Sequence, residues 1–251
     1  MADLKTLIVN ADDFGFTRDV NQGIIEAHQK GILRAATLMA NGEAFEDAVR
    51  LAHQNPGLDL GCHLVLVRGH SLAEPGRRLP ANVCELVIAL GLGRVRAYDE
   101  LAAQVRKILW AGIRPTHLDT HKHTHLLPWV LEAVARVSEE FAIPWVRRPF
   151  GLLGGRLHQV LKRHGCRSTD HFAGYQMTGR LCTASLVQLI RDLPQGSTEL
   201  MCHPGRCGSE LRSAYTRLKE SRETELAALV APEVRAALEQ ARVRLASFRE
   251  F

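Results

Sequence analysis

The sequence predicts an α/β barrel of about seven parallel strands, and three observations carry that expectation. A β-prone run, a polar or glycine-containing junction and a stretch of helical periodicity recur along the chain, the alternation that parallel strands and crossover helices produce. No G-x-G-x-x-G follows the first strand, where an open nucleotide-binding sheet would carry it. No linker rich in Gly, Pro or Ser divides the 251 residues, a length that single α/β barrels commonly reach.

The expected strands are residues 6–11, 35–40, 58–65, 115–119, 144–147, 168–172 and 198–202. The first helix, 18–30, places Val20, Ile24 and Ala27 on one face and stops at Gly31. Phe45, Val49 and Ala52 give the second its stripe, with Pro56 beyond its end. A third, 98–110, turns Leu101, Val105, Ile108 and Leu109 inward before Gly112. Pro128 opens a fourth at a first-turn position, where its missing N–H is harmless, and Val130, Val134 and Val137 continue it. Two more fit 153–162 and 184–193. Residues 1–251 thus read as one barrel domain with a helical tail from about 208, its last part, 223–247, broken near Pro232. The stretch 68–94 has no strand pattern and is expected to cross one barrel mouth.

Hydrophobic content of 46% and charged content of 24% lie near globular averages, which argues against disorder and against a membrane span. The N-terminal apolar run is too short, and followed too soon by acids, for a signal peptide, so a cytoplasmic location is expected. The six cysteines form no C-x-x-C pair and read as buried free thiols. A net charge of +5 permits anionic partners. The basic residues are dispersed apart from Arg147 and Arg148, and aromatics are not interleaved with them, so no nucleic-acid partner is expected.

A parallel barrel does its chemistry at the C-terminal strand ends. Asp12 and Asp13 fall there after the first strand, Asn41 after the second, His63 in the third and 117–125 after the fourth. Arg147 ends the fifth, His171 lies in the sixth and His203 follows the seventh. In "THLDTHKHTH", His117, Asp119, His121, His123 and His125 share one parity, so wherever the backbone stays extended they crowd one side. A His-rich surface loop is the alternative, and His123 and His125 are candidates for lining the cleft only. His63 lies among apolar neighbours in "GCHLVLV", where a lone histidine is more often a hydrogen-bonded core residue, and the other histidines tip the reading toward function. Consecutive side chains on an extended segment point apart, so of Asp12 and Asp13 one can hold a metal while the other faces water. A turn is the plainer reading of that pair. His203 in "ELMCHPG" is a candidate for protonating a leaving group, a task histidine side chains commonly perform, or is a structural residue before proline. Arg147 either pairs with Asp12 or is a surface arginine.

Together, and in this order, "NADDFG", "GCHLVLV", "THLDTHKHTH" and "ELMCHPG" resemble the YdjC-like carbohydrate deacetylases, from the first strand to His203. "HLVLVRG" and "DTHKHTHLLP" look most like the hopanoid biosynthesis-associated branch. The resemblance implies a distorted barrel related to the polysaccharide deacetylases. It also implies one divalent ion, Mg2+ or Zn2+, on Asp13, His63 and His121. Asp12 becomes the general base and His203 the acid, and "RRPF" assigns Arg147 to orienting Asp12. The substrate implied is an acetylated amino sugar, either an N-acetylglucosaminyl hopanoid glycolipid or a chitooligosaccharide. Peripheral membrane contact and a homodimer are compatible with it. A metal-dependent barrel hydrolase of another bond, and a metal- or lipid-binding protein without turnover, are the rival readings.

Overall fold

The computed structural model describes residues 5–151 and 154–251. Strand β1 (Lys5–Phe14) is buried beyond its first residue and lies at the centre of one parallel sheet. Its Leu7, Ile8 and Val9 form the unbroken apolar run that a strand covered on both faces requires. Helix α1 (Arg18–Lys30) follows, capped by the Thr17 hydroxyl, which accepts the Val20 N–H at 3.2 Å, and burying Val20, Ile24 and Ala27 as expected. Next come β2 (Ala35–Leu38), α2 (Phe45–Gln54) and β3 (Asp59–Leu64).

Two helices then precede the fourth strand, α3 (Val83–Gly91) and α4 (Ala97–Trp110). The first of them lies inside the excursion that carried no strand pattern. Leu109 of α4 turns out to be 37% exposed and not inward, because it lies one step beyond the stripe of Leu101, Val105 and Ile108. Buried Glu100 of α4 pins the excursion by accepting the Leu72 and Ala73 N–H groups and the Ser71 hydroxyl, at 2.5–3.1 Å.

The chain continues through β4 (His117–Thr120), α5 (Pro128–Glu140), the two-residue β5 (Trp145–Val146) and α6 (Gly154–Arg163). The expected start of this last helix, Leu153, lies outside the described residues. Then follow β6 (His171–Ala173), α7 (Thr183–Arg191), β7 (Gly196–Cys202), the short α8 (Ser209–Ser213), α9 (Glu220–Val230), α10 (Pro232–Gln240) and β8 (Arg244–Ala246).

The sheet runs β5-β4-β3-β2-β1-β7-β6, and every ladder is parallel. Between the outer strands, Trp145 of β5 bridges Arg167, just before β6, with Arg167 N–H donating to Pro144 O at 2.7 Å. The barrel is therefore distorted and only thinly joined along that seam. One expectation fails: the tail is not helical throughout, because β8 pairs Thr6, Leu7 and Ile8 of β1. This short strand, with Arg244 exposed, carries no alternating apolar pattern. The expectation of buried thiols also fails at Cys84, which is exposed, and at Cys182, which is half-buried, while all six cysteines are free.

Candidate active site

Strand β1 delivers both aspartates to one place through a bulge. Its register with β2 shifts between Ala11 and Phe14, and Asp13 takes a φ of 70°, a left-handed conformation that Asp tolerates better than most residues. The Phe16 N–H closes the turn on Asp13 O at 3.0 Å. The two side chains are thus not sent to opposite faces, as a regular strand would send them; both are buried at the same strand end.

Asp13 Oδ1 lies 3.3 Å from His63 Nε2 and 3.3 Å from His121 Nδ1, and those nitrogens are 3.2 Å apart. Donors about 2.1 Å from a common centre lie about 3.0 Å apart at right angles and about 3.4 Å apart at the tetrahedral angle. The observed triangle falls between these values, and one carboxylate with two imidazoles suits a divalent cation. The residues fit the ion.

Neighbouring groups fix the orientation of each donor. His63 Nδ1 donates to Asp119 Oδ1 at 2.7 Å, which directs Nε2 at Asp13 and His121. Thr37 donates its hydroxyl to the other Asp119 oxygen at 3.0 Å. Burial opposes charge on His63, yet Asp119 and then Asp12 outweigh it and push its pKa up to about 10. His121 goes the other way: burial outweighs its bond to Asp13 and favours the neutral ring, leaving a lone pair for coordination.

Asp12 sits beside this triangle in the grip of Arg147, which donates through Nη1 and Nη2 at 2.9 and 2.7 Å, a two-pronged pairing. Burial alone would raise the Asp12 pKa, but Arg147 outweighs it and holds the carboxyl well below the usual carboxylate range. The same guanidinium reaches Asp119 Oδ2 at 2.7 Å and Glu199 Oε1 at 2.8 Å. For Asp119 and Glu199, burial wins and their pKa values rise.

His203 follows β7 with Nε2 3.9 Å from Asp12 Oδ2. Its loop is set by a close approach: a Cβ on Gly23 of α1 would lie 2.3 Å from Gly205 Cα, so only glycine fits there. The His203 N–H donates to Glu225 Oε2 at 2.6 Å.

The remaining histidines divide. The parity expected of 117–125 holds to Thr120 and then breaks, because Lys122 and His123 adopt left-handed φ values of 58° and 51°. His117 is buried away from the triangle, Nε2 meeting Asn10 Oδ1 at 3.2 Å and its ring stacked on Phe248. His123 packs among Phe150 and Tyr175 on the cleft wall. His125 is not a cleft residue: it is buried with Nδ1 2.7 Å from the Thr120 hydroxyl. His171 bonds Gln195 O at 3.1 Å, and Asn41 donates to His70 O at 3.3 Å on the wall of the larger cavity.

Two adjoining cavities, of about 510 and 1060 Å³, share Asp13, His121, Lys122, Thr216 and Arg222. The smaller also contains Asp12, His63 and His203. The larger is walled by the excursion, through Arg68, His70 and Leu79, as its expected position over a mouth requires.

Sequence reasoning missed four residues. Glu199 had a usable signal, since an acid inside a buried strand needs a partner. Thr37 had none. Arg222 and Glu225 lie in a segment that reads as a solvated helix, yet each is 1% exposed, and Arg222 Nη2 lies 2.5 Å from Asp13 Oδ2.

Known proteins are similar to this chain in sequence and in fold. The YdjC-like protein family matches residues 6–240. A carbohydrate deacetylase of Brevibacillus brevis is 36% identical over 97% of this chain and 98% of its own. One of Geobacillus stearothermophilus is 35% identical over 97% of each. A crystal structure from Enterococcus faecalis superposes with a TM-score of 0.85 at 25% identity, covering 98% of both chains. The lactam utilization protein of Thermus thermophilus shares the fold, with a TM-score of 0.54 at 18% identity over 96% of this chain and 99% of its own.

Proposed function

The chain belongs to the YdjC-like protein family, and we propose that it removes the N-acetyl group from an amino sugar with Asp12 as general base and His203 as general acid. It is a carbohydrate deacetylase by its relatives, and the amide it opens yields acetate and a free amine. The observation that carries the assignment of roles is the position of Asp12, ionised by Arg147, directly beside the Asp13–His63–His121 triangle.

A divalent ion held by Asp13, His63 and His121 would supply the Lewis acidity that lets so weak a base as Asp12 take a proton from water. Asp12 accepts that proton, with Arg147 fixing both its oxygens. His203, 3.9 Å from Asp12 Oδ2 on the same cleft, donates to the departing nitrogen as the C–N bond breaks. Asp119 acts through His63 by fixing its tautomer. We assign the ion to Mg2+ or Zn2+ from the donor set.

Among acetylated amino sugars, a glycolipid such as an N-acetylglucosaminyl hopanoid is our preferred substrate. Helix α3, in the excursion that walls the larger cavity, exposes Cys84 and Ile88, and Leu92 just past its end continues the apolar patch, with the two aliphatics 61% and 60% exposed. Such a patch suits peripheral contact with a membrane surface. Among the described residues no helix is long and apolar enough to cross a membrane. A cytoplasmic location accords with six free thiols.

Incubating the purified enzyme, loaded with Mg2+ or Zn2+, with acetylated glycolipids and chitooligosaccharides, followed by mass spectrometry, tests the assignment. Acetate release supports it, and preference for the oligosaccharide redirects the substrate. Phosphate release from phosphoesters without acetate release refutes it. Flotation with anionic vesicles tests the membrane contact.

A further inference from the structure

Arg222 is buried and lies outside all four sequence motifs. It sits on α9, one turn before Glu225, and its guanidinium is 1% exposed. Nη2 lies 2.5 Å from Asp13 Oδ2, while the other oxygen of the same carboxylate faces His63 and His121 at 3.3 Å each. The carboxylate is thus divided: one oxygen points into the ligand triangle and the other is occupied by the arginine. Asp13 is the only carboxylate paired with Arg222 among the described residues; Nε of the arginine donates to Leu218 O at 3.2 Å, and its Nη1 has no partner there. A buried guanidinium is costly unless charge is returned to it, and Asp13 returns it.

The same turn of helix reaches the opposite side of the cleft. Glu225 accepts the His203 N–H at 2.6 Å and the Gly179 N–H at 3.0 Å, and Arg222 O accepts the Gly205 N–H at 3.2 Å. A Cβ on Gly205 would come within 3.0 Å of the Arg222 stem, so the His203 loop is fitted against this side chain. Residues three apart on one helix face therefore touch Asp13 and the backbone of His203.

We infer that Arg222 is a positioning residue: it fixes Asp13 so that Oδ1 alone is presented to a bound cation, and with Glu225 it ties that ligand to the His203 loop through one helix turn. The inference rests on reading Asp13, His63 and His121 as ligands. A lysine at this position keeps the charge but loses the rigid planar fork, and a methionine keeps the bulk but loses both.

Titration of the purified, chelator-treated full chain with Zn2+ alone, by calorimetry, tests this on wild type, Arg222→Lys and Arg222→Met. Circular dichroism reports whether each is folded. Loss of an orienting partner weakens metal affinity about 10- to 100-fold, so Arg222→Met should bind that much more weakly and Arg222→Lys should fall between it and wild type. Turnover should follow the same order through kcat, with KM little changed. Folded variants that bind Zn2+ like wild type overturn the inference and leave Arg222 as core filling. If Arg222→Met does not fold, Arg222→Lys decides alone: several-fold weaker binding supports the role and wild-type binding overturns it. Absence of Zn2+ uptake by wild type overturns the ligand reading first, and this inference with it.

Discussion

Replacing Arg147 with Met removes the guanidinium shared by three buried carboxylates, Asp12, Asp119 and Glu199, all within 2.7–2.9 Å of it. The side chain is 1% exposed, so water does not replace what is lost. Breaking a buried pair from one side costs about 3–5 kcal/mol, because the charge left behind has no compensation. For a chain of this size each kcal/mol corresponds to about 2–4 °C in Tm, so a fall of about 6–20 °C is expected. Arg147 depresses the folded-state pKa of Asp12 below its unfolded value, so this contribution is present above the usual carboxylate range and disappears as pH falls toward the depressed value. In Arg147→Met the deficit should therefore be greatest at neutral pH and shrink as the medium is acidified toward pH about 4, where the orphaned carboxyls accept protons. Urea unfolding of both proteins across that range measures it. A variant within about 1 kcal/mol of wild type at neutral pH, or a deficit that grows on acidification, refutes the reasoning.

Three other predictions follow from the same geometry. Asp12→Asn should retain the ion and lose turnover by about 10²–10⁴-fold, the usual contribution of a general base, whereas Asp13→Ala should lose the ion; metal analysis alongside acetate release separates the two. Gly23→Ala would force its new methyl to within 2.3 Å of Gly205 Cα, and overpacking of about 1–3 kcal/mol should appear in thermal melts together with reduced activity from a displaced His203 loop. His164 bonds Glu139 and Glu132, each at 2.9 Å, and Glu139 leads the rise in its pKa. That stabilisation is fully present below about pH 6.5 and lost as pH rises through the elevated folded value, so His164→Gln should cost about 0.3 kcal/mol in mild acid and nothing at pH about 9, as urea unfolding at the two pH values would show.

Much of this architecture is legible in the sequence, and the limits have physical causes. The apolar run 7–9 and the alternation of strands and helices mark the barrel, because buried parallel strands have a composition of their own. Asp12, Asp13, His63, His121 and His203 are visible as polar residues at strand ends, and the structure gathers all five around one cleft. The mode of arrival is less visible. Asp13 comes in through a bulge, and the chain turns left-handed directly after His121, so periodicity stops being a guide where the backbone ceases to be extended. Arg222 and Glu225 are hidden for a different reason: a charged helix face in solvent and one inserted against a cleft have the same local pattern, and only the packing of α9 against α1 separates them. The exposed face of α3 is equally silent, since an apolar run says nothing of whether it is covered.

On the proposed reading, Asp13, His63 and His121 hold a single divalent ion next to Asp12. A crystal structure of the Zn2+-soaked protein with anomalous scattering measured at the zinc edge tests it most directly. One strong peak per chain is expected, within about 2.0–2.2 Å of Asp13 Oδ1, His63 Nε2 and His121 Nδ1. A peak elsewhere, or none between these three side chains at full zinc loading, contradicts it.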